Sequence, residues 1–197
     1  TVAGRFDPET VRQWIAASFG PIARPAQPLP VTYTVEPQQD GERQVTLRRT
    51  GEVRLVAVAY HALPAAHPDY PAVEAALDVL TREGTGRLYK DLISTGLCTA
   101  VQSEAPALVE PGYLWLLAEV HRDHSAEAVR DRMLAAIEGL GKTPVTLEEL
   151  RRFQARKRKE FTHLGTDGAA LAAALRPWSA AGDFRLGLLY RDRIAAL

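Results

Sequence analysis

Two histidines and an aspartate fall within four residues, His121-Arg122-Asp123-His124, and form the most metal-like group in the sequence. Imidazole nitrogens and carboxylate oxygens are donors that zinc accepts, and Glu119 lies two positions upstream. The group also falls where a strand ends and Ser125 is placed to cap a helix. A solvated polar turn accounts for it without a metal and is the preferred reading, because zinc ligands usually sit further apart on rigid elements. His61 and His67 flank a loop that also holds Asp69, and a His–Asp pair can orient a general base. No nucleophile with a local signature stands beside them: there is no G-x-S-x-G and no flanked catalytic cysteine. The one cysteine, Cys98, begins a predicted strand and reads as a small buried thiol.

Gly84-Thr85-Gly86-Arg87 precedes a helix whose first N–H groups could take an anion. It lacks the Lys-Ser/Thr of a phosphate loop and does not follow a strand, so a break between helices is the better account. Arg151, Arg152, Arg156, Lys157, Arg158 and Lys159 make the one strong charge run. On a helix they spread around the cylinder as a solvated face, their stems lying over an apolar stripe of Leu147, Leu150, Phe153, Phe161 and Leu164. Nucleic-acid binding is disfavoured, because 24 Lys and Arg balance 24 Asp and Glu over the 197 residues. With 46% hydrophobic and 24% charged residues the composition is that of a globular chain, and disorder is excluded by the apolar material available for burial. A single cysteine excludes an internal disulfide and a cysteine-cluster metal site. No apolar run approaches the ~18 residues of a membrane span.

The elements that position these groups follow from periodicity and capping. Thr1–Phe6 reads as a short strand. Asp7-Pro8-Glu9 starts a helix with a buried face of Val11, Trp14, Ile15, Ser18 and Phe19, stopped by Gly20-Pro21. Five prolines between residues 21 and 37 mark an extended connector. Gln44–Thr50 and Val53–Tyr60, joined by Gly51-Glu52, read as a β-hairpin. Val73, Ala76, Leu77 and Leu80 form a helix stripe, and Arg87–Ser94 a second short helix. Leu97–Ser103 and Tyr113–His121 are strands, the latter apolar on both faces over Tyr113–Ala118 and so central and covered on both sides. Ser125 caps a helix carrying Val129, Met133, Ile137 and Leu140. Thr146-Leu-Glu-Glu149 is a capping box opening a helix to about His163. Two more helices follow, over about 167–181 and from Asp183 to the end. The sum is an α+β fold, a mostly antiparallel sheet with helices packed on one face. The expected organisation is a single unit over 1–197, with a sheet-and-helix core to about 145 and C-terminal helices from about 146.

The order of these segments resembles a known family. Gly4-Arg-Phe-Asp7, a helix closing on Phe19-Gly20, the hairpin ending Tyr60-His61, Gly86-Arg87-Leu88-Tyr89-Lys90, Gly96 and Pro144-Val-Thr-Leu-Glu-Glu149 occur in sequence. The series is similar to the second, inactive structural unit within one half of a pitrilysin/insulinase-family zinc metallopeptidase. The resemblance implies a mitochondrial-processing-peptidase-like unit in which Gly4, Asp7, Phe19, Gly20, Gly86, Arg87, Leu88, Tyr89 and Gly96 are structural signature positions. In that family zinc is held by H-x-x-E-H in the first unit. This chain has no such motif, so neither catalytic nor metal-binding residues carry over. The resemblance also places an Arg and a Tyr that reach substrate in one half of active members. Ile93 and Thr99 hold those places here and can offer neither hydrogen bond.

Several expectations follow from the resemblance. The chain is a non-catalytic unit, not an enzyme by itself. It walls a peptide chamber and scaffolds a neighbouring unit that carries the zinc, in a parent zinc metalloendopeptidase. The other reading is a purely structural or assembly module from a catalytically silent member. Partners are other units of the same parent and, in the whole protein, peptide substrate, with no nucleic acid and no membrane. The parent is a bacterial protein of the periplasm or cytoplasm, with the periplasm favoured. The start at Thr1 and the uncapped helix at Leu197 read as cuts from a longer chain. A missing neighbour leaves an apolar face on Val53–Tyr60 and Tyr113–Ala118, through which the isolated chain can dimerise.

Overall fold

The structure, a computed structural model, describes residues 2–27, 38–51 and 53–197. Where one unit over 1–197 is expected, the chain divides into two compact units: Arg5–Gly51, and Thr1–Gly4 together with Glu52–Leu197.

The smaller unit is built around α1 (Pro8–Phe19). The Asp7 carboxylate accepts from the Thr10 backbone N–H at 2.8 Å and from the Thr10 hydroxyl at 2.6 Å. These bonds hold the Asp7 carboxyl below the usual carboxylate range, and Pro8 fills the first turn where its missing N–H is harmless. Two expectations fail here. The apolar stripe of α1 is not buried: Trp14 and Phe19 are each 65% exposed, and no described residue of this unit covers them. Residues 44–50 form no strand, so the predicted hairpin is absent. Two apolar residues in seven, Val45 and Leu47, offer too little burial to fix a strand. The connector at 28–37 and the turn residue Glu52 lie outside the described residues.

The larger unit carries the sheet. Residues 2–6, expected as a strand, are irregular. Strands β1 (Arg54–Ala62), β2 (Cys98–Glu104) and β3 (Gly112–Val120) form a three-stranded antiparallel sheet in the order β1-β3-β2. Register sorts the side chains into two faces. Val56, Ala118 and Val101 stand in one row and Val58, Leu116 and Ser103 in the next. The opposite face carries Ala57, Leu117 and Gln102, then Ala59, Trp115 and Glu104. The described helices of this unit that pack on the sheet lie on the first face: α2 (Tyr70–Thr81), a π-helical turn (Tyr89–Ile93) and α3 (Ala126–Glu138). Leu88, Leu92 and Leu116 are fully buried there, each worth about 2 kcal/mol on removal from water. β3 is central as expected, but on its other face no described helix of this unit packs over Leu55 and Tyr113, which are 58% and 52% exposed.

A 3₁₀ turn (Gly139–Gly141) leads to α4 (Leu147–Leu164), α5 (Gly168–Ala180) and α6 (Arg185–Ala196). The capping box at the start of α4 forms as predicted: Thr146 Oγ1 accepts from Glu149 N–H, and Thr146 N–H donates to the Glu149 carboxylate at 2.8 Å. These helices make a second core with α2, of Tyr70, Ala75, Phe153, Trp178, Tyr190 and Ile194 among others.

Candidate functional site

The histidine groups nominated by spacing are turns. His121 Nδ1 accepts from the Asp123 backbone N–H at 3.4 Å and lies 3.5 Å from the Asp123 carboxylate, while the His121 and His124 rings are 5.9 Å apart. His67 Nδ1 accepts from Asp69 N–H at 3.1 Å in the same way, just ahead of α2. His61 stands on β1, opposite Tyr113 on β3. Both His–Asp pairs are local side-chain-to-backbone arrangements of a bend. Among the described residues no three His, Cys, Asp or Glu side chains converge to hold a metal. Cys98 is buried, and desolvation, with Asp91 nearby, pushes its thiol up to about 11, which keeps it in the unreactive form. No helix among the described residues is long and apolar enough to cross a membrane.

Gly86-Arg87 is a clasp. A Cβ on Gly86 would lie 2.5 Å from Arg82 N and 2.7 Å from both Arg82 O and Leu80 O, so only glycine admits the chain passing this close to the end of α2. Arg87 then faces the start of α4. Its Nε and Nη2 donate to the two Glu149 carboxylate oxygens at 2.9 and 2.8 Å, a bidentate fork. Nη1 donates to Thr143 O at 2.7 Å and Nη2 to Pro144 O at 2.9 Å. The Arg87 bonds, helped by Thr146, draw the Glu149 carboxyl down to about 2. Leu88 is buried and Tyr89 half-buried in the adjoining turn. Gly96, at φ +78°, closes that turn in a conformation that favours glycine. Gly4 lies against Gly168 at the start of α5, and Gly20 caps α1.

Ile93 packs on the sheet core, and Thr99 occupies the bulge of β2 between Cys98 and Ala100, donating to Glu119 O at 3.4 Å. Neither side chain has a charge or a phenol to extend toward a substrate.

Sequence reasoning did not nominate a cleft of about 620 Å³ between α2, the edge strand β2 and the C-terminal helices. Its floor is aromatic: Trp178 and Tyr190 lie 4.9 Å apart, and Tyr70 meets Trp178 edge-on at 6.1 Å. Several of its polar groups are engaged with one another. Tyr70 donates to Ala105 O at 2.6 Å; Lys157 Nζ lies 3.3 Å from Glu74 and over the rings of Phe153 and Tyr190; Tyr190 also bonds Glu74; Arg156 pairs with Asp78. Burial and Glu74 push the Tyr70 phenol up. Glu74 and Asp78 are therefore bound to cations of α4 and are not poised as a general base. The arrangement ties α4 and α6 to α2. Its one sequence signal is Tyr70, Glu74 and Asp78 spaced one helical turn apart.

The peptidase M16 inactive domain matches residues 1–157. The chain belongs to that family. In this M16 inactive domain Gly86-Arg87 is a clasp, and the cleft carboxylates Glu74 and Asp78 are paired with cations of α4. The inactive peptidase domain of a Bordetella parapertussis protein assigned as a zinc protease is 31% identical, with TM-score 0.68, covering 78% of this chain and 82% of its own. A Bordetella pertussis Tohama I protein of the same assignment is 28% identical, with TM-score 0.66, covering 73% and 79%. A protease from Helicobacter pylori shares the fold at TM-score 0.92 with 20% identity; the match covers 99% of this chain and 48% of that one. No curated protein matches.

Proposed function

We infer that this M16 inactive domain is the wall and scaffold of a zinc-dependent metallopeptidase whose zinc-bearing unit lies outside the chain. The observation that carries the reading is the one-sided sheet. Its helix-free face presents Leu55, Ala57, Ala59, Tyr113, Trp115 and Leu117, an apolar surface of the kind that marks a contact with another body. A companion unit of the same parent is the natural cover. β2, at the sheet edge and beside the aromatic cleft, suits the lining of a peptide chamber, since an edge strand can pair with an extended peptide. The chain contributes surface and rigidity, and the zinc with its activated water belongs to the companion.

The test uses the whole parent protein and a fluorogenic peptide. The expected result is zinc-dependent hydrolysis that Leu117→Glu lowers at least about tenfold by displacing the companion, which corresponds to about 1.4 kcal/mol. A parent that folds, assembles and hydrolyses nothing would move the chain to the assembly reading. Hydrolysis by this chain alone would sink both.

A further inference from the structure

Packing divides the six cations of α4 into two groups. Arg152 pairs with Glu148 one turn earlier, Arg156 with Asp78, and Lys157 with Glu74 and Glu160 at 3.3 and 3.7 Å. Arg151, Arg158 and Lys159 are exposed and have no carboxylate partner among the described residues. The charge run is thus half neutralised internally and half directed outward. The outward half is organised: Arg151, Ala155 and Arg158 follow the i, i+4, i+7 spacing of one helix face.

That face of α4 and the adjacent face of α6 bound a groove of about 790 Å³. Its floor is apolar, from Ala155, Phe161, Ile194 and Ala195. The Ile194 carbonyl in the floor already accepts from Gln154 Nε2 at 3.0 Å. The rim holds three guanidiniums, of Arg151, Arg158 and Arg191, against one carboxylate, Asp192, which Arg191 engages at 2.8 Å.

We propose that the α4–α6 groove is a docking site for an acidic amphipathic helix of a protein partner. Its apolar side chains sit over Ala155, Phe161 and Ala195, and its carboxylates meet Arg151 and Arg158. Charge complementarity selects this occupant. Unpaired guanidinium forks match carboxylates in a bidentate geometry, and the apolar floor between them takes the side chains of a helix face. The small and apolar residues that α4 and α6 present to the groove accept a third helix by ordinary ridge-and-groove packing. A nucleic-acid backbone would leave that floor unfilled.

The experiment titrates this chain with a fluorescein-labelled synthetic helix of about four turns, Leu on one face and Glu on its flanks. Saturable binding that weakens with added salt is expected. The double variant Arg151→Gln/Arg158→Gln binds at least about tenfold more weakly, Ala155→Glu abolishes binding, and the same peptide with Lys for Glu does not bind. The proposal is overturned if the double variant binds as tightly as the parent sequence, or if the Lys peptide binds equally well. It is also overturned if an RNA oligonucleotide or anionic vesicles displace the Glu peptide, which would assign the groove to phosphate. All three substituted positions are exposed, and an unchanged thermal midpoint certifies each variant. If one loses its midpoint, Arg158→Gln alone carries the comparison.

Discussion

Arg87 directs all three of its guanidinium nitrogens at the segment that begins α4, with Glu149 taking two of the bonds. Because the pair is only partly exposed, at 25% and 15% of the two side chains, its loss is not that of a surface ion pair. Arg87→Ala leaves a half-buried carboxylate and two carbonyls short of donors. It is expected to cost about 2–3 kcal/mol, read as a lowered midpoint in denaturant unfolding. The pH dependence follows from Glu149, whose carboxyl lies at about 2 in the folded chain against an ordinary 4.5. Between those values the unfolded chain binds the proton more readily. The stability from this pair is therefore complete above about pH 4.5 and drains away as pH falls toward 2. Arg87→Ala is expected to flatten the acid limb of the stability curve over that window; a limb as steep as that of the parent sequence would refute the assignment.

At the scale of elements, local signals were legible where a cap could be named. Asp7 with Pro8, Ser125 with the Ala128 N–H, and Thr146 with Glu149 all form as their spacing predicts. For Thr146→Ala the expected loss is about 1 kcal/mol, with faster amide exchange confined to the first turn of α4; exchange spread evenly over the unit would show that the cap is not what fixes this helix start. What the sequence hid were pairings. The alternation of residues 44–50 suggested a strand, but a strand exists only if a partner and a buried face reward it. The α1 stripe is genuinely amphipathic, yet periodicity says that a face could be buried and not what buries it. The cleft was hidden for the same reason: Tyr70, Trp178 and Tyr190 are far apart in the chain and converge only when α5 and α6 fold back on α2. The match to an inactive domain was readable in the missing zinc motif, which needed no coordinates.

At the scale of the whole molecule, the sheet face without helices is expected to govern association. Leu55 and Tyr113 stand in the open beside half-buried Trp115 and Leu117. The isolated chain is expected to self-associate at high concentration in sedimentation velocity, and Leu117→Glu to return it to monomer without lowering its thermal midpoint. A concentration-independent monomer would count against this surface as a contact. A different property follows from α2, which gives Leu77 and Leu80 to the sheet core and Tyr70 and Ala75 to the core of the C-terminal helices. One helix is the common wall of two chambers of packing. If α4–α6 detach, α2 still has the sheet to rest on; if the sheet opens, α2 goes with it. Opening is therefore ordered: deuterium should enter α5 and α6 through partial openings, while the amides around Leu77 and Leu80 wait for global unfolding.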